Sequence, residues 1–312
     1  MVIKASQPIW LAFIFLSLLC GVVLVSFLGG QLKEGQKDVP YVPSRSRVIK
    51  AMLELSEVKE DDLVYDLGCG DGRIVIAAAQ QYGARGIGVD VDPELIEQSI
   101  KNARHAGVAD LVEFRLQDLF QADISQATVV TLYLGTDANL RLRPKLLKEL
   151  RPGSRVISNS FLLGDWQPDR SVEVPSITLS FMVYCWIVPT DVEGVWLWNT
   201  SICGEERHYA LQLEQRFQQI RGKVHNGFEE LPITAAYLSG DQISFVFADT
   251  IARQTTTLRF NGWIRGETIS GSVQIQTETS TSSQTWSARR SPHSVQHKQQ
   301  NHIPLQNHQI SL

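Results

Sequence analysis

The chain has 312 residues, too many for one ordinary domain of roughly 100–200 residues, so two folded units are expected. Its 29 basic and 33 acidic side chains leave a formal charge of −4 and a pI near 6.0, which supplies no electrostatic footprint for a nucleic-acid backbone. Cys20, Cys69, Cys185 and Cys203 form no CxxC pair; their spacing argues against a zinc site or a disulfide framework and fits a reducing compartment.

In chain order, the first feature is "IWLAFIFLSLLCGVVLVSFLGG" at 9–30, uncharged and long enough for a bilayer that needs about 20 apolar residues. It reads as a transmembrane helix rather than a signal peptide, whose apolar region is usually about 7–15 residues and ends in small residues of the A-x-A kind. Lys33, Lys37, Arg45, Arg47 and Lys50 follow the span and only Lys4 precedes it, so a single-pass membrane anchor with the remaining chain facing the cytoplasm is expected. After a polar tether at 31–40, Val48, Met52 and Leu55 mark a helix. From 62 to 189, apolar strands alternate with amphipathic stretches: "LVYDL", 71–82, "GIGVD", 93–106, "LVEFRL", "ATVVTLYL", 138–150 and "SRVIS". That alternation predicts a parallel sheet wrapped by helices. "SVEV" and "ITLSFMVYCWIV" then suggest an antiparallel hairpin on one edge.

Beyond Asp191 the pattern changes to short runs divided by turn signals, with turns expected at Ser239-Gly240-Asp241, Asn261-Gly262 and Arg265-Gly266-Glu267. This predicts a small all-β module over 191–290, a barrel or a sandwich, with Trp196, Trp198, Phe245, Phe247, Phe260, Trp263 and Trp286 supplying its apolar faces. The tail at 291–312 lacks apolar periodicity and is expected to be disordered.

The stretch "VYDLGCGDGR" (64–73) carries the chemistry. A strand ending at Leu67, glycines at 68, 70 and 72 and an immediate helix start expose bare amides where a ligand can approach. Asp90, at the end of the second strand, stands 22 residues past Gly68, the spacing that sets a carboxylate on a ribose hydroxyl pair. The dinucleotide fingerprint G-x-G-x-x-G is absent, because here the glycines read G-x-G-x-G with Asp66 before them. An acid there repels a pyrophosphate. It suits the ammonium and sulfonium end of S-adenosylmethionine, and Asp71 is expected to add negative potential.

At these residues the chain resembles the class I, seven-stranded S-adenosylmethionine-dependent methyltransferases, through "VYDLGCGDGR", "GVDVDPELIEQS" and "FRLQDLF". The resemblance covers about 41–189 and implies a Rossmann-like sheet. It also implies that the glycine loop, Asp66 through Gly68, Cys69, Gly70 and Asp71, holds the methionyl part. Asp90 would hold the ribose, Val91 would flank adenine, and Asp118 with the adjoining Leu119 would meet the adenine amine. "YVPSRSRVIKAML", "LYLGTDANLRLRPKLLKELRPGSRVIS" and Trp166 are similar to the membrane-anchored protein-lysine methyltransferases of the mitochondrial inner membrane and their prokaryotic relatives. That likeness implies that Tyr41-Val42-Pro43 folds over the methionyl end and that the acceptor is a protein, with lysine as the candidate side chain.

Methyl transfer from a sulfonium is an in-line displacement, so the protein mainly supplies alignment, and neither a metal nor a covalent nucleophile is required. An amine acceptor must lose a proton. Tyr133, Asp137 and Asn159, at strand ends facing the site, are the candidate catalytic groups. The Asn/Asp-Pro-Pro-Tyr motif of base and amide methylases is replaced by "LYLGTD", which again disfavours nucleic acid. Three readings stay open: a membrane-tethered protein methyltransferase, a methyltransferase for a small or lipid-type acceptor, and a non-catalytic S-adenosylmethionine-binding membrane protein.

Overall fold

A computed structural model describes residues 41–176, 180–202 and 204–292. The expected membrane helix at 9–30 lies outside these residues, as does the expected disordered tail beyond residue 292. Among the described residues no helix is long and apolar enough to cross a membrane.

The first layer system runs α1 (Ser46–Leu55), β1 (Leu63–Leu67), α2 (Arg73–Tyr82), β2 (Arg85–Asp90), α3 (Pro93–His105), β3 (Val112–Leu116), β4 (Val129–Leu132), α4 (Thr136–Glu149), β5 (Arg155–Asn159), β6 (Arg170–Val174) and β7 (Phe181–Ile187). Seven strands form one sheet in the order β3-β2-β1-β4-β5-β7-β6. The first five are parallel, and β6 with β7 makes the expected antiparallel edge hairpin. Central strands such as "VVTL" in β4 read as continuous apolar runs because both faces are covered. On one face α1 and α2 contribute Val48, Met52, Leu53, Ile74 and Val75 to a core with Ile157 and Val183. On the other, α4 contributes Leu142 and Leu146 to a core with Trp166 and Trp186. Asp92 caps α3, accepting from the Glu94 amide at 3.0 Å, and Pro93 fits the first helical turn because its missing N–H would have had no partner there.

The strand order reverses at β1, where β2 and β4 pair on opposite sides and the chain leads away from them in opposite directions. A reversal of this kind opens a crevice at the carboxyl ends of the strands. The glycine loop stands at that crevice.

The β module comprises β8 (Gly194–Ile202), β9 (Glu205–Arg216), β10 (Gln219–His225), β11 (Glu230–Pro232), β12 (Thr234–Ser239), β13 (Gln242–Ile251), β14 (Gln254–Arg265), β15 (Thr268–Gln276) and β16 (Thr281–Arg290). It is an antiparallel meander whose last strand returns to its first through Arg289↔Leu197 and Arg290↔Trp196. Among the described residues only the seam between β11 and β12 lacks pairing, so the module is a nearly closed barrel and not a sandwich. Alternate residues point inward, as with Phe245, Phe247, Asp249 and Ile251 on β13. The Phe260 ring stacks on Phe245 at 4.9 Å and on Phe247 at 5.5 Å, and meets Trp286 edge-on at 4.8 Å. The middle of the barrel is therefore filled by its own aromatic side chains.

Two expectations for this module need correction. Asn261-Gly262 is no turn but the interior of β14: Gly262 lies opposite Gly271, and a Cβ on it would stand 2.8 Å from Ile269 and 3.4 Å from the Trp286 ring. The glycine serves close strand packing, not a reversal. Trp263, one residue on, consequently faces outward and is 52% exposed, so it adds nothing to the core.

Candidate active site

The loop after β1 is fastened before any ligand is considered. The amides of Gly68 and Cys69 both donate to the Val89 carbonyl, at 2.8 and 3.0 Å, and the Gly72 amide donates to the Cys69 carbonyl. Gly68, Gly70 and Gly72 all have positive φ, a region costly for residues with a Cβ. Their neighbours differ. A Cβ at Gly72 would collide with Phe114 and Ser99, so this glycine lets α3 and β3 pack closely, whereas a Cβ at Gly70 would strike the Tyr41 ring. At Gly68 it would meet Leu134 at 2.6 Å and touch Leu119 at 4.0 Å, which makes those two leucines the apolar floor beside the loop.

Asp90 joins the two strand tips. Its carboxylate accepts from the Gly70 amide at 2.9 Å and from the Asp92 amide at 3.0 Å, one oxygen each, leaving further lone pairs for a hydroxyl pair. Val91, the next residue, is 50% exposed. Asp118 begins the turn after β3: it accepts from the Phe120 amide at 2.9 Å, and the Gln117 amide ties its neighbourhood to the Asp90 carbonyl. Asp66, Gly68, Gly70, Asp90, Val91, Asp118 and Leu119 thus gather along the carboxyl ends of β1, β2 and β3.

Asp66 is almost fully buried, and burial pushes its carboxyl up to about 7; the charges of Asp90 and Asp71 add to this, while the Thr131 hydroxyl, donating at 2.7 Å, works against it. A buried acid held this way gains strongly from an arriving cation. Asp71 behaves otherwise. Burial would raise it, yet two hydrogen bonds from Arg73, at 2.8 and 2.6 Å, hold it below the ordinary range. Asp71 does add negative potential at Asp66 and at Tyr41, but the same carboxylate is also ion-paired with Arg73. Arg73 in turn donates to the Ser44 carbonyl at 2.9 Å, and Asn102 donates to the Asp71 carbonyl at 2.9 Å. Cys69 is also structural at its side chain, since burial raises the thiol pKa and a Cβ at Gly88 would sit 2.8 Å from its sulfur.

The strap at 41–45 crosses this loop. The Tyr41 ring lies over Gly70, and burial together with the charge of Asp71 raises its hydroxyl pKa. Asn159, fully enclosed at the tip of β5, donates to the Ser44 hydroxyl at 3.4 Å and accepts from Ser160 at 2.8 Å. It is a tie between β5 and the strap. Tyr133 is half-buried with its ring against Phe161 at 6.1 Å, and Asp137 stands exposed in the first turn of α4. These last two flank the crevice on the side away from Asp90.

Sequence reasoning missed Thr131, Arg73, Ser44 and Phe161. Thr131 was detectable as the single polar residue in the all-buried "VVTL" strand, and Arg73 as a cation two residues past an acid in a loop too short to separate them. Among the described residues no group of His, Cys, Asp and Glu is arranged to hold a metal ion.

The fit to S-adenosylmethionine is good on this geometry: a buried acid with no cation hydrogen-bonded to it among the described residues, a bare loop and a two-oxygen acceptor at the β2 tip. The ANTKMT methyltransferase domain matches residues 66–170. A protein-lysine N-methyltransferase of Saccharolobus islandicus is 42% identical over 151 residues, covering 48% of this chain and 94% of that enzyme, so the β module has no counterpart there. The adenine nucleotide translocase lysine N-methyltransferase of Mus musculus is 35% identical over 131 residues, which make up 42% of this chain and 57% of that enzyme. A solved RNA methyltransferase from Salinibacter ruber, in complex with S-adenosyl-L-homocysteine, is 53% identical, with 48% of this chain and 96% of that chain covered at a TM-score of 0.47. With nearly the whole Saccharolobus enzyme matched at 42% identity, the chain belongs to the same family of S-adenosylmethionine-dependent methyltransferases, and its residues 66–170 match the ANTKMT methyltransferase domain.

Proposed function

We propose that this enzyme methylates a protein acceptor at a lysine, and that the segment at 9–30 holds it on a membrane as a single-pass anchor with the enzymatic domain facing the cytoplasm. The observation that carries the acceptor class is the 42% identity along almost the entire archaeal protein-lysine N-methyltransferase. The membrane reading is supported by the uncharged run at 9–30 and by the basic residues that follow it.

In this reading Asp66 faces the ammonium end, the amides and bare backbone of Gly68, Cys69 and Gly70 accommodate the methionyl chain, and Asp71 with Arg73 keeps the loop in shape. Asp90 takes the ribose hydroxyls; Val91, Asp118 and Leu119 border the adenine. The cofactor, when bound, supplies a methyl group on a sulfonium. Tyr41 closes the loop side of the crevice and reduces the water there, while Tyr133 and Phe161 line the acceptor side. A lysine entering past them loses hydration, which lowers its pKa and favours the neutral amine; Asp137 is the nearest exposed acid in sequence to receive the proton through solvent.

Purified full-length protein incubated with methyl-labelled cofactor and host membrane and soluble fractions tests this. Label in protein bands that hydrolyse to methyl-lysine is the expected result. Label that partitions into organic solvent, or that nuclease releases, overturns the acceptor class. Protein that stays soluble without carbonate or detergent overturns the anchor, and protection from protease added on the cytoplasmic side overturns the orientation.

A further inference from the structure

The segment at 160–167, between β5 and β6, forms the back of the acceptor side. At its front Phe161 lies against Tyr133, and Leu162 is 40% exposed. From α4, the Asn139 side-chain amide donates to the Ser158 hydroxyl at 3.1 Å and to the Phe161 carbonyl at 3.2 Å, while Arg143 donates to the Leu163 carbonyl at 3.0 Å and pairs with Asp165. The rear of the same segment is held by the β module. Phe217, in the turn between β9 and β10, stacks on Trp166 with centroids 5.7 Å apart and planes 17° from parallel. Gln218 accepts from the Trp166 indole at 2.9 Å and donates to the Gln167 carbonyl at 2.6 Å, and Arg216 pairs with Asp165.

Phe217 occupies its place at a conformational cost. Its φ is +55°, in a two-residue hairpin turn of the kind where asparagine or glycine is the ordinary choice. A bulky side chain in the left-handed region persists only where surrounding contacts over-determine it, and such positions cluster where a contact has a task. Here the contact is with the segment that carries Phe161.

We infer that the β9–β10 turn is a positioning element for acceptor binding: Phe217, with Gln218 and Arg216, fixes the 160–167 segment and thereby holds Phe161 against Tyr133 at the acceptor opening. The inference rests on the assignment of Tyr133 and Phe161 to the acceptor side. It gives the barrel a role the archaeal relative, which lacks it, must fill in another way.

The test compares full-length protein with Phe217→Gly, Gln218→Ala and Phe217→Tyr. Glycine relieves the backbone at φ +55° while deleting the stack, so the hairpin survives and only the contact is lost. Amide hydrogen exchange over 160–167 is expected to quicken about fivefold or more in Phe217→Gly and Gln218→Ala, with the glycine loop at 66–73 unchanged, and to return to the parent rate in Phe217→Tyr. With methyl-labelled cofactor and the host membrane fraction as acceptor, the half-saturating amount of that fraction should rise about fivefold or more while the limiting rate and the cofactor affinity stay within about twofold. Unchanged exchange over 160–167 in Phe217→Gly overturns the inference. So does a loss of cofactor affinity equal to the loss of acceptor saturation, because the turn would then support the whole domain. If no fraction is labelled by the parent protein, the acceptor assignment fails on its own, and the exchange measurement still decides whether the turn positions the segment.

Discussion

The seven-stranded sheet buries an apolar core on each face and the barrel a single one in its middle, and the two dispose of their strand ends in opposite ways. In the sheet, the chain leads away from β1 on both sides and leaves backbone amides, Asp66 and Asp90 around a gap. In the barrel every strand pairs with a chain neighbour except across the β11–β12 seam, the last rejoins the first, and Phe245, Phe247, Phe260, Trp198 and Trp286 fill the middle. A topology that reverses makes a ligand site almost unavoidably; one that meanders makes a solid body whose useful surfaces are its turns.

The sharpest separation is expected from Phe260→Ala. Truncating a fully buried ring at the centre of the barrel should cost about 3–5 kcal/mol of barrel stability, read by thermal or denaturant unfolding, with cofactor affinity unchanged where the protein is folded. An equal fall in cofactor affinity would show the two bodies to be energetically one. Asp90→Ala should do the reverse: it removes the acceptor for Gly70 and, in the proposed binding mode, for the ribose, and cofactor affinity should drop by about 1.5–3 kcal/mol in calorimetric titration while barrel unfolding is unmoved.

Asp66 gives a pH signature. Its carboxyl is raised to about 7 in the ligand-free protein, so below that pH a cationic ligand must displace a proton. Affinity should fall by up to about one decade per pH unit as pH drops below 7 and level off above it, with proton release visible in buffers of different ionisation enthalpy. The sign for stability is opposite to that of a salt-bridged acid. The native state keeps a proton that the unfolded chain has already lost, so the ligand-free protein should lose stability as pH rises from about 4 to about 7. Asp66→Asn should flatten both profiles; a flat affinity profile in the parent would remove Asp66 as the counter-charge. The smallest effect belongs to Trp263→Ser on the barrel's outer face, expected within about 0.5 kcal/mol by the same unfolding measurement.

Much of the catalytic domain was legible because its signals are local. Strand, glycine loop and helix follow one another within a dozen residues, and Asp90 falls at a fixed distance along the chain. The pairing of Asp71 with Arg73 was signalled by their spacing, but nothing local announces that Arg73 also reaches the Ser44 carbonyl 29 residues earlier. In the barrel, β13 announced itself by the alternation of "ISFVF", whereas β16, "TSSQTWSARR", carries only Trp286 and Ala288 as buried apolar residues and is marked mainly by that tryptophan. Asn261-Gly262 misled for a related reason: turn chemistry and close strand packing both call for glycine, and only the facing strand distinguishes them. The strained Phe217 turn was invisible, because nothing in its own neighbourhood says that Trp166 is waiting.

The return of β16 to β8 has a consequence for how the chain is made. Every other pairing among the described strands of the barrel joins neighbours in the chain, and these can form as soon as each hairpin leaves the ribosome. Closure cannot. Arg290 must reach back to pair with Trp196 and to donate to the Glu193 carbonyl 97 residues earlier, so β8 keeps one edge open until almost the last strand residue has been synthesised. The catalytic sheet, complete at Ile187, can fold before then, and the β9–β10 turn can dock on Trp166. The domain thus offers the unfinished barrel a docking point at the β9–β10 turn while the free edge of β8 still waits for its last partner.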